Sequence, residues 1–323
     1  MSANIKKILI TGGAGFIGSN LVDALISAGH DVRVADNFST GFLEFIEHHK
    51  GMAAIEIVET DLVDEQACSQ VLAGCDVVYH LAANADVRFG WKQPLRDTQQ
   101  NLVVTQNLLE ACRKQGVRKF IFSSTGSVYG KAKQIPTPED CAFPTQTSLY
   151  AASKLAAEGL INAYAEADVI DATIFRFVSI LGRRYTHGHV FDFVKQLLED
   201  PELLKVLGDG NQTKSYLHVD DCISALVRVL DGKSKLEIFN LGTNETITVN
   251  QSIDIICKSL HCDPIIDYSG GTEGWVGDNP HIFLDTTSAR ATGWSSVRTI
   301  SESIQETVEW LVANDWVFRL RDR

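Results

Sequence analysis

Short hydrophobic runs alternate with longer amphipathic stretches through the first half of the chain. Lys6-Lys7-Ile8-Leu9-Ile10 breaks into glycines at Gly12, Gly15 and Gly18, and the amphipathic stretch Asn20 to Ile26 follows. That succession predicts a strand, a tight turn and a helix. Ala28-Gly29 closes the helix, and a second strand, Val32-Arg33-Val34-Ala35, ends on Asp36. Further strands are expected at about residues 54–59, at Val77 to Ala83, at Lys119 to Thr125 and at Ala172 to Phe177. Helices are expected from Pro94 to Cys112, with Gly116 as the C-cap, and from about Tyr150 through Ile161. The alternation predicts the α/β class, a Rossmann-type doubly wound parallel sheet.

Beyond Phe177 the composition shifts. Gly182 to His189 reads as a loop facing solvent, Val190 begins a helix, and Thr248 with Gln251 and Thr299 with Glu302 form capping boxes that start two more. A chain of 323 residues exceeds what one core usually fills. The expected division is a nucleotide-binding domain over residues 1–178 and a smaller α/β substrate domain over 179–323, some segments of which return to the first.

The glycine spacing has a chemical reason. One glycine permits the sharp turn, the next lets a pyrophosphate approach the backbone, and the third lets the helix pack on the strand. The diphosphate then sits on the free N–H groups of the helix N-terminus. Asp36 lies where an acid binds both ribose hydroxyls and repels a 2′-phosphate, and no Lys or Arg occurs between Asp36 and Lys50. NAD is therefore expected rather than NADP. Asp61, after the third strand, reads either as a residue near the adenine or as a helix N-cap. His80 reads as a packed core histidine.

Charge and cysteine usage narrow the partners. A net charge of −12 leaves no basic face for a nucleic acid or an anionic membrane surface. No apolar run approaches the roughly 20 residues that span a bilayer. Met1 to Lys7 leads straight into the first strand without room for a leader, and the seven cysteines are scattered, so reduced thiols and a cytoplasmic protein are expected. His187-x-His189 has no carboxylate or cysteine grouped with it, and no metal is expected.

The fifth strand ends in the hydroxyls Ser123-Ser124-Thr125, and the following helix opens Tyr150-Ala151-Ala152-Ser153-Lys154. Four residues place Tyr150 and Lys154 on one helical face. An ammonium there is expected to lower the phenol pKa toward neutrality and make Tyr150 a base.

With the glycine loop, the acid-terminated strand, the hydroxyl-ended strand and Tyr-x-x-x-Lys in this order, the chain resembles the extended short-chain dehydrogenase/reductase family over its whole length. Within that family it is similar to nucleotide-sugar epimerases and dehydratases, above all those that interconvert UDP-glucose and UDP-galactose. The resemblance implies a cytoplasmic NAD-dependent isomerase of carbohydrate metabolism. It makes Gly12, Gly15, Phe16, Ile17, Gly18, Asp36, Asn37, Ser39, Thr40, Gly41, Asp61, Leu62, Leu81, Ala82, Ala83 and Asn101 cofactor contacts, together with Tyr150 and Lys154. Thr125, Tyr150 and Lys154 become the catalytic trio. Ser179, Val190, Phe191, Lys214 and Asp278, with Thr125, become substrate contacts.

Family dehydratases and decarboxylases carry an acid two residues after the threonine, where this chain has Ser127. That implies transient oxidation to a 4-keto sugar and return of the hydride, a 4-epimerase. Three positions depart from the epimerase pattern: Ser179 replaces Asn, Lys214 replaces the diphosphate-binding Arg, and Gly274 to Asp278 lacks a second Arg, with Glu273 just before it. Alternatives are an epimerase of UDP-glucuronate or a UDP-N-acetylhexosamine, a nucleotide-sugar dehydratase or reductase, and a non-catalytic NAD-binding scaffold. The resemblance also implies a homodimer through the helices at Pro94–Cys112 and Tyr150–Tyr164, with Leu102, Leu108, Leu109 and Leu160 supplying apolar surface, some of which must face the sheet.

Overall fold

The computed structural model describes residues 5–84, 91–142, 145–272 and 281–321. The chain clusters into two compact units, Met1–Val128 with Ser148–Arg176 and Ile223–Phe239, and Tyr129–Thr147 with Phe177–Cys222 and Asn240–Arg323. Residues 223–239 are thus a later stretch that returns to the first unit, while 129–147 cluster with the second.

The first unit carries β1 (Lys7–Thr11), α1 (Phe16–Ser27), β2 (Asp31–Asp36), β3 (Ile55–Glu59), α2 (Glu65–Leu72) and β4 (Val77–His80). It continues with α3 (Pro94–Asp97), α4 (Val104–Gln115), β5 (Lys119–Thr125), α5 (Leu149–Glu166) and β6 (Asp171–Phe177). The chain goes on through β7 (Ser179–Leu181), α6 (His189–Glu199), β8 (Leu203–Val206), β9 (Thr213–Lys214) and β10 (Tyr216–His218) to α7 (Val219–Arg228) and β11 (Leu236–Leu241), the last two lying mostly in the stretch that returns to the first unit. The seven-stranded sheet has the order β11-β6-β5-β4-β1-β2-β3, and β1 is parallel to both β2 and β4. The direction of strand addition reverses between β1 and β4, the switch point at which such sheets hold a ligand beyond their carboxyl ends.

Ile8, Leu9 and Ile10 are fully buried, as befits a strand covered on both faces. Leu9, Val78, Phe120, Phe122 and Ile174 from the strands pack with Leu108, Leu109 and Ile161 from α4 and α5. Leu108 and Leu109 belong to this core and are the part of that apolar surface that faces the sheet; Leu102 and Leu160 are partly buried. Gly116 ends α4 in the left-handed conformation, φ 74°.

In the second unit, β7 pairs with β10, β9 lies between β12 (Ile247–Thr248) and β14 (His281–Ile282), and β8 pairs with β13 (Ile265–Tyr268). Both expected capping boxes are present, at α8 (Val249–Leu260) and α10 (Ile300–Ala313). α6 begins at His189, one residue before the expected start.

Two glycines make the nucleotide turn possible. Gly12 has φ +69°, and a Cβ there would lie 2.7 Å from the backbone nitrogen of Ala82. A Cβ on Gly18 would stand 2.1 Å from the Gly12 carbonyl oxygen, a contact with backbone that cannot rotate away. Gly18→Ala is expected to destabilise the protein by about 1–3 kcal/mol, the cost of overpacking. Urea unfolding of the two proteins measures it, and an unchanged midpoint would mean that the loop yields.

Candidate active site

The carboxyl ends of β1 to β4 gather most of the residues expected to touch a cofactor. Gly15 is the N-cap of α1 without a side-chain cap, so Phe16 and Ile17 stand in a first turn whose N–H groups have no partner within the helix. Asp36 ends β2 and clamps two loops: Oδ2 accepts the Ala14 N–H at 2.9 Å, and Oδ1 accepts the Phe38 N–H at 2.8 Å. Burial raises its pKa against the pull of these N–H groups. Asn37 Oδ1 accepts the Ser39 N–H at 3.1 Å and shapes the turn that carries Thr40 and Gly41. Asp61 Oδ1 accepts the Val63 N–H, and the cap of α2 is Asp64, which decides against the N-cap alternative for Asp61. Leu62 is 5% exposed and packs in the core, so a ligand could meet it only through backbone.

Leu81, Ala82 and Ala83 follow β4, and a buried polar chain runs from here to α5. The Ala82 N–H donates to Thr11 Oγ1, which is 2.8 Å from His80 Nδ1. His80 Nε2 lies 3.0 Å from Thr105 Oγ1, which in turn donates to the Asn101 carbonyl at 2.6 Å. Since the threonine proton is committed to that carbonyl, His80 carries its hydrogen on Nε2 and accepts the Thr11 hydroxyl proton at Nδ1. Burial and the charge of Lys154 hold its pKa well below the ordinary value, so it is neutral. Asn101 lies in a π-helical turn, Thr98–Val103, that joins α3 to α4. Its side chain accepts the Asn84 N–H at 2.8 Å and donates to Ser153 Oγ at 2.9 Å, and Ser153 donates to the Tyr150 carbonyl. Asn101 thus braces α5, a task that its position in a helix facing the sheet did not reveal.

Ser148 caps α5 by accepting the Ala151 N–H, and the first turns carry Tyr150 and Lys154. The structure brings both beside Thr125, whose hydroxyl is hydrogen-bonded to that of Tyr150. Lys154 is 1% exposed; its ammonium donates to the Ser123 carbonyl at 2.8 Å and lies 4.5 Å from the Phe122 ring centroid. Desolvation lowers its pKa to about 7, opposed by the charge of Glu158. Tyr150 keeps partial access to solvent, yet the surrounding protein desolvates its hydroxyl and pushes the pKa up to about 12, with the Thr125 hydrogen bond pulling it down. The expectation of a phenol tuned toward neutrality is corrected: burial outweighs its neighbours, and the ammonium is turned to the Ser123 carbonyl.

Ser124, Glu158 and Arg176 also surround this group, and the i, i+4 spacing extended by one turn from Lys154 would have found Glu158.

Apart from Thr125, the described residues expected to meet substrate lie in the second unit. Ser179 is exposed at the start of β7. The side chains of Val190 and Phe191 are buried, Phe191 against Phe318 at 4.7 Å between ring centroids, so they can offer a ligand only backbone N–H groups at the start of α6. Lys214 is half-buried on β9; burial, with a smaller push from the Lys214 charge, lowers the pKa of His189 to about 3. His189 Nε2 lies 2.7 Å from Ser252 Oγ, which corrects the expectation of a loop facing solvent. Asp278 lies outside the described residues.

Two groups of histidine and carboxylate stand together among the described residues, Asp23 with His48 and His49, and His218 with Asp220 and Glu306. Hydrogen bonds account for the first, and a hydrogen bond with an ion-pair contact for the second. The two Nε2 atoms of the first converge on Asp23 Oδ1, and Nδ1 of His49 is buried without the acceptor that a metal-bound imidazole usually has. In the second, His218 Nδ1 accepts the Asp220 N–H, which leaves the proton on Nε2 facing Glu306.

Comparison with known proteins gives one consistent answer. The description NAD dependent epimerase/dehydratase family matches residues 8–242. A UDP-glucose 4-epimerase of Mycolicibacterium smegmatis is 33% identical over 311 residues, which are 94% of this chain and 98% of that one. A UDP-N-acetyl-alpha-D-glucosaminuronate decarboxylase of Bacillus cytotoxicus is 34% identical over 264 residues, 79% of each. Among solved structures, a UDP-glucuronic acid 4-epimerase of Bacillus cereus in complex with UDP-glucuronic acid and NAD superposes with a TM-score of 0.88, at 30% identity over 95% of this chain and 99% of that one.

The buried ammonium makes the stability of the ligand-free protein depend on pH. Lys154 has a folded pKa of about 7 against 10.5 for an ordinary lysine, so between these values the unfolded chain binds more protons. Stability from this group therefore rises as pH rises through that window and is at its lowest below pH 7. Denaturant unfolding from pH 7 to 9.5, the parent against Lys154→Met, checks it: the gap between the two should shift in favour of the parent as pH rises. A constant gap would mean that Lys154 keeps an ordinary pKa.

Proposed function

The chain belongs to the NAD dependent epimerase/dehydratase family, and from that premise we propose that it is an NAD-dependent nucleotide-sugar 4-epimerase of the UDP-glucose/UDP-galactose type. The observation that carries this reading is the group of Thr125, Tyr150 and buried Lys154 followed by Gly126-Ser127, where the dehydratase pattern has its acid. The Ser127 N–H donates to Thr125 Oγ1 at 3.1 Å, so this position shapes the turn and offers no carboxylate to take a proton from carbon five.

The residues fit NAD. Asp36 retains carboxylate lone pairs for a ribose diol, residues 37–49 hold no Lys or Arg for a 2′-phosphate, and a Cβ at Gly12 or Gly18 would meet backbone. NAD, when bound, supplies the acceptor and later the donor of hydride. Tyr150 takes the proton of the sugar 4-hydroxyl and later returns one to the 4-keto oxygen, while Thr125 hydrogen-bonds that oxygen. Lys154 holds a positive charge under the strand end that bears Thr125. For the nucleotide, Lys214 serves as the local cation and the first N–H groups of α6, at Val190 and Phe191, donate to diphosphate oxygens.

A second reading is an epimerase of UDP-glucuronate. It is favoured by the likeness to the Bacillus cereus enzyme and by Ser179, which departs from the pattern of the glucose-type epimerases.

Incubation with UDP-glucose, UDP-galactose, UDP-glucuronate and UDP-N-acetylglucosamine, read by NMR, is expected to yield the C4 epimer of UDP-glucose without accumulation of NADH. Deuterium at carbon four should stay at carbon four. NADH accumulating in step with product would make the protein a dehydrogenase, and conversion of UDP-glucuronate alone would select the second reading. Tyr150→Phe is expected to lower turnover by roughly 10²- to 10⁴-fold while its circular dichroism matches the parent. Turnover within a factor of about two of the parent would remove Tyr150 from the mechanism.

A further inference from the structure

β5 ends in Ser123-Ser124-Thr125, and α5 carries Tyr150, Lys154 and Glu158 one turn apart. The two sets are joined residue by residue. The Thr125 hydroxyl meets Tyr150, the Ser123 carbonyl accepts the Lys154 ammonium, and the Ser124 hydroxyl donates to Glu158 Oε1. Glu158 is in turn gripped by Arg176 of β6, the strand next to β5, with Nη2 2.7 Å from Oε2 and Nε 3.1 Å from Oε1. The side chains of Glu158 and Arg176 are 2% and 10% exposed.

We propose that Glu158 is a positioning residue for Thr125, Tyr150 and Lys154: tied to Ser124 and Arg176, it fixes the register of α5 on β5 and supplies the buried negative charge that keeps Lys154 an ammonium.

Three observations carry this. A buried ion pair is seldom more stabilising than two packed apolar side chains, so packing alone does not call for charges here. Ser124 lies between the two strand residues that touch Lys154 and Tyr150, so a shift of Glu158 moves Thr125 with it. Finally, the charge of Glu158 acts directly on Lys154, against the desolvation that favours the free amine. The other ionisable groups facing this stripe are His80 on β4, Arg176 on β6 and Asp97 on α3; His80 is held neutral, and Asp97 acts on Tyr150.

The inference rests on the epimerase reading only where turnover is measured, so two kinds of readout are needed. Ser124→Ala removes the tie to the strand and leaves the Arg176–Glu158 pair intact, so the fold is kept. In the NAD-loaded enzyme it is expected to lower kcat about tenfold, with KM for the sugar nucleotide changed little and Ser124→Thr restoring the rate. The double variant Glu158→Gln with Arg176→Met removes both buried charges together, so that neither is left unpaired. Without Glu158 the ammonium loses its counter-charge, and the alkaline fall of kcat should move down by about one pH unit. Independently of any sugar, ultraviolet difference titration of NAD-loaded protein, referenced to Tyr150→Phe, should place ionisation of Tyr150 higher in the double variant than in the parent. If the parent turns over no UDP-sugar, the epimerase reading fails and the titration still decides. Parental kcat in Ser124→Ala together with a parental Tyr150 titration in the double variant, whatever their melting temperatures, would overturn the proposal and leave Glu158 a purely structural ion pair.

Discussion

An ammonium group with almost no solvent contact sits at the centre of this structure, and its accommodation decides how the surrounding elements meet. Lys154 cannot be hydrated, so its charge is met by the Ser123 carbonyl, by the Phe122 ring face and, at longer range, by Glu158. Each partner belongs to a fixed element. The carbonyl and ring come from the end of β5, and the carboxylate comes from the next turn of α5, anchored on β6. Leaving such a charge unmet in the interior costs several kcal/mol, which is why strand and helix have little freedom to slide. The hydroxyls of Thr125 and Tyr150 inherit their closeness from this constraint.

A second set of buried polar groups makes the opposite use of a titratable residue. His80 could ionise near neutral pH in water, but burial and the nearby ammonium hold it neutral, and the fixed Thr105 proton chooses its tautomer. It then links Thr11 at the end of β1 to Asn101 in the π-helical turn. From there the hydrogen bonds through Ser153 reach the backbone of Tyr150. The nucleotide loop and the helix with the tyrosine are thereby held to one frame by side chains that no solvent can compete for.

What could be seen in the sequence was what depends on local spacing. Gly12, Gly15 and Gly18, Asp36 at a strand end, and Tyr150 with Lys154 are each specified by neighbours within a turn or a βαβ unit, and the strand order follows from their succession. What could not be seen depends on register between distant segments. His80 lies 25 residues from Thr105 in sequence, and Arg176 lies 18 from Glu158, so neither partnership has a local signature. The resemblance made Val190 and Phe191 substrate contacts, yet α6 turns their side chains into the core of its unit. Leu108 and Leu109 were open to either side of α4 until packing against the sheet was known. The pKa of Tyr150 failed for a different reason: the spacing to Lys154 was right, but the direction of the ammonium and the depth of burial are three-dimensional facts.

The high pKa of Tyr150, about 12 in the ligand-free protein, bears on how one side chain can serve both halves of an epimerisation. At neutral pH the isolated phenol is protonated and idle as a base. An added positive charge favours phenolate, and an oxidised nicotinamide carries one whereas a reduced nicotinamide does not. On the proposed reading, a site holding the oxidised cofactor would pull Tyr150 toward the base that the first half-reaction needs. With the reduced cofactor that charge would be absent, and the same phenol would be drawn back toward the acid that the return step needs. The Thr125 hydrogen bond pulls in the same direction throughout, because it does not change with the redox state. A tyrosine already ionised without cofactor would be a weaker base toward the sugar hydroxyl, so on the proposed reading the burial that seems to oppose catalysis keeps the phenolate basic enough for the first direction, while its conjugate acid serves the return.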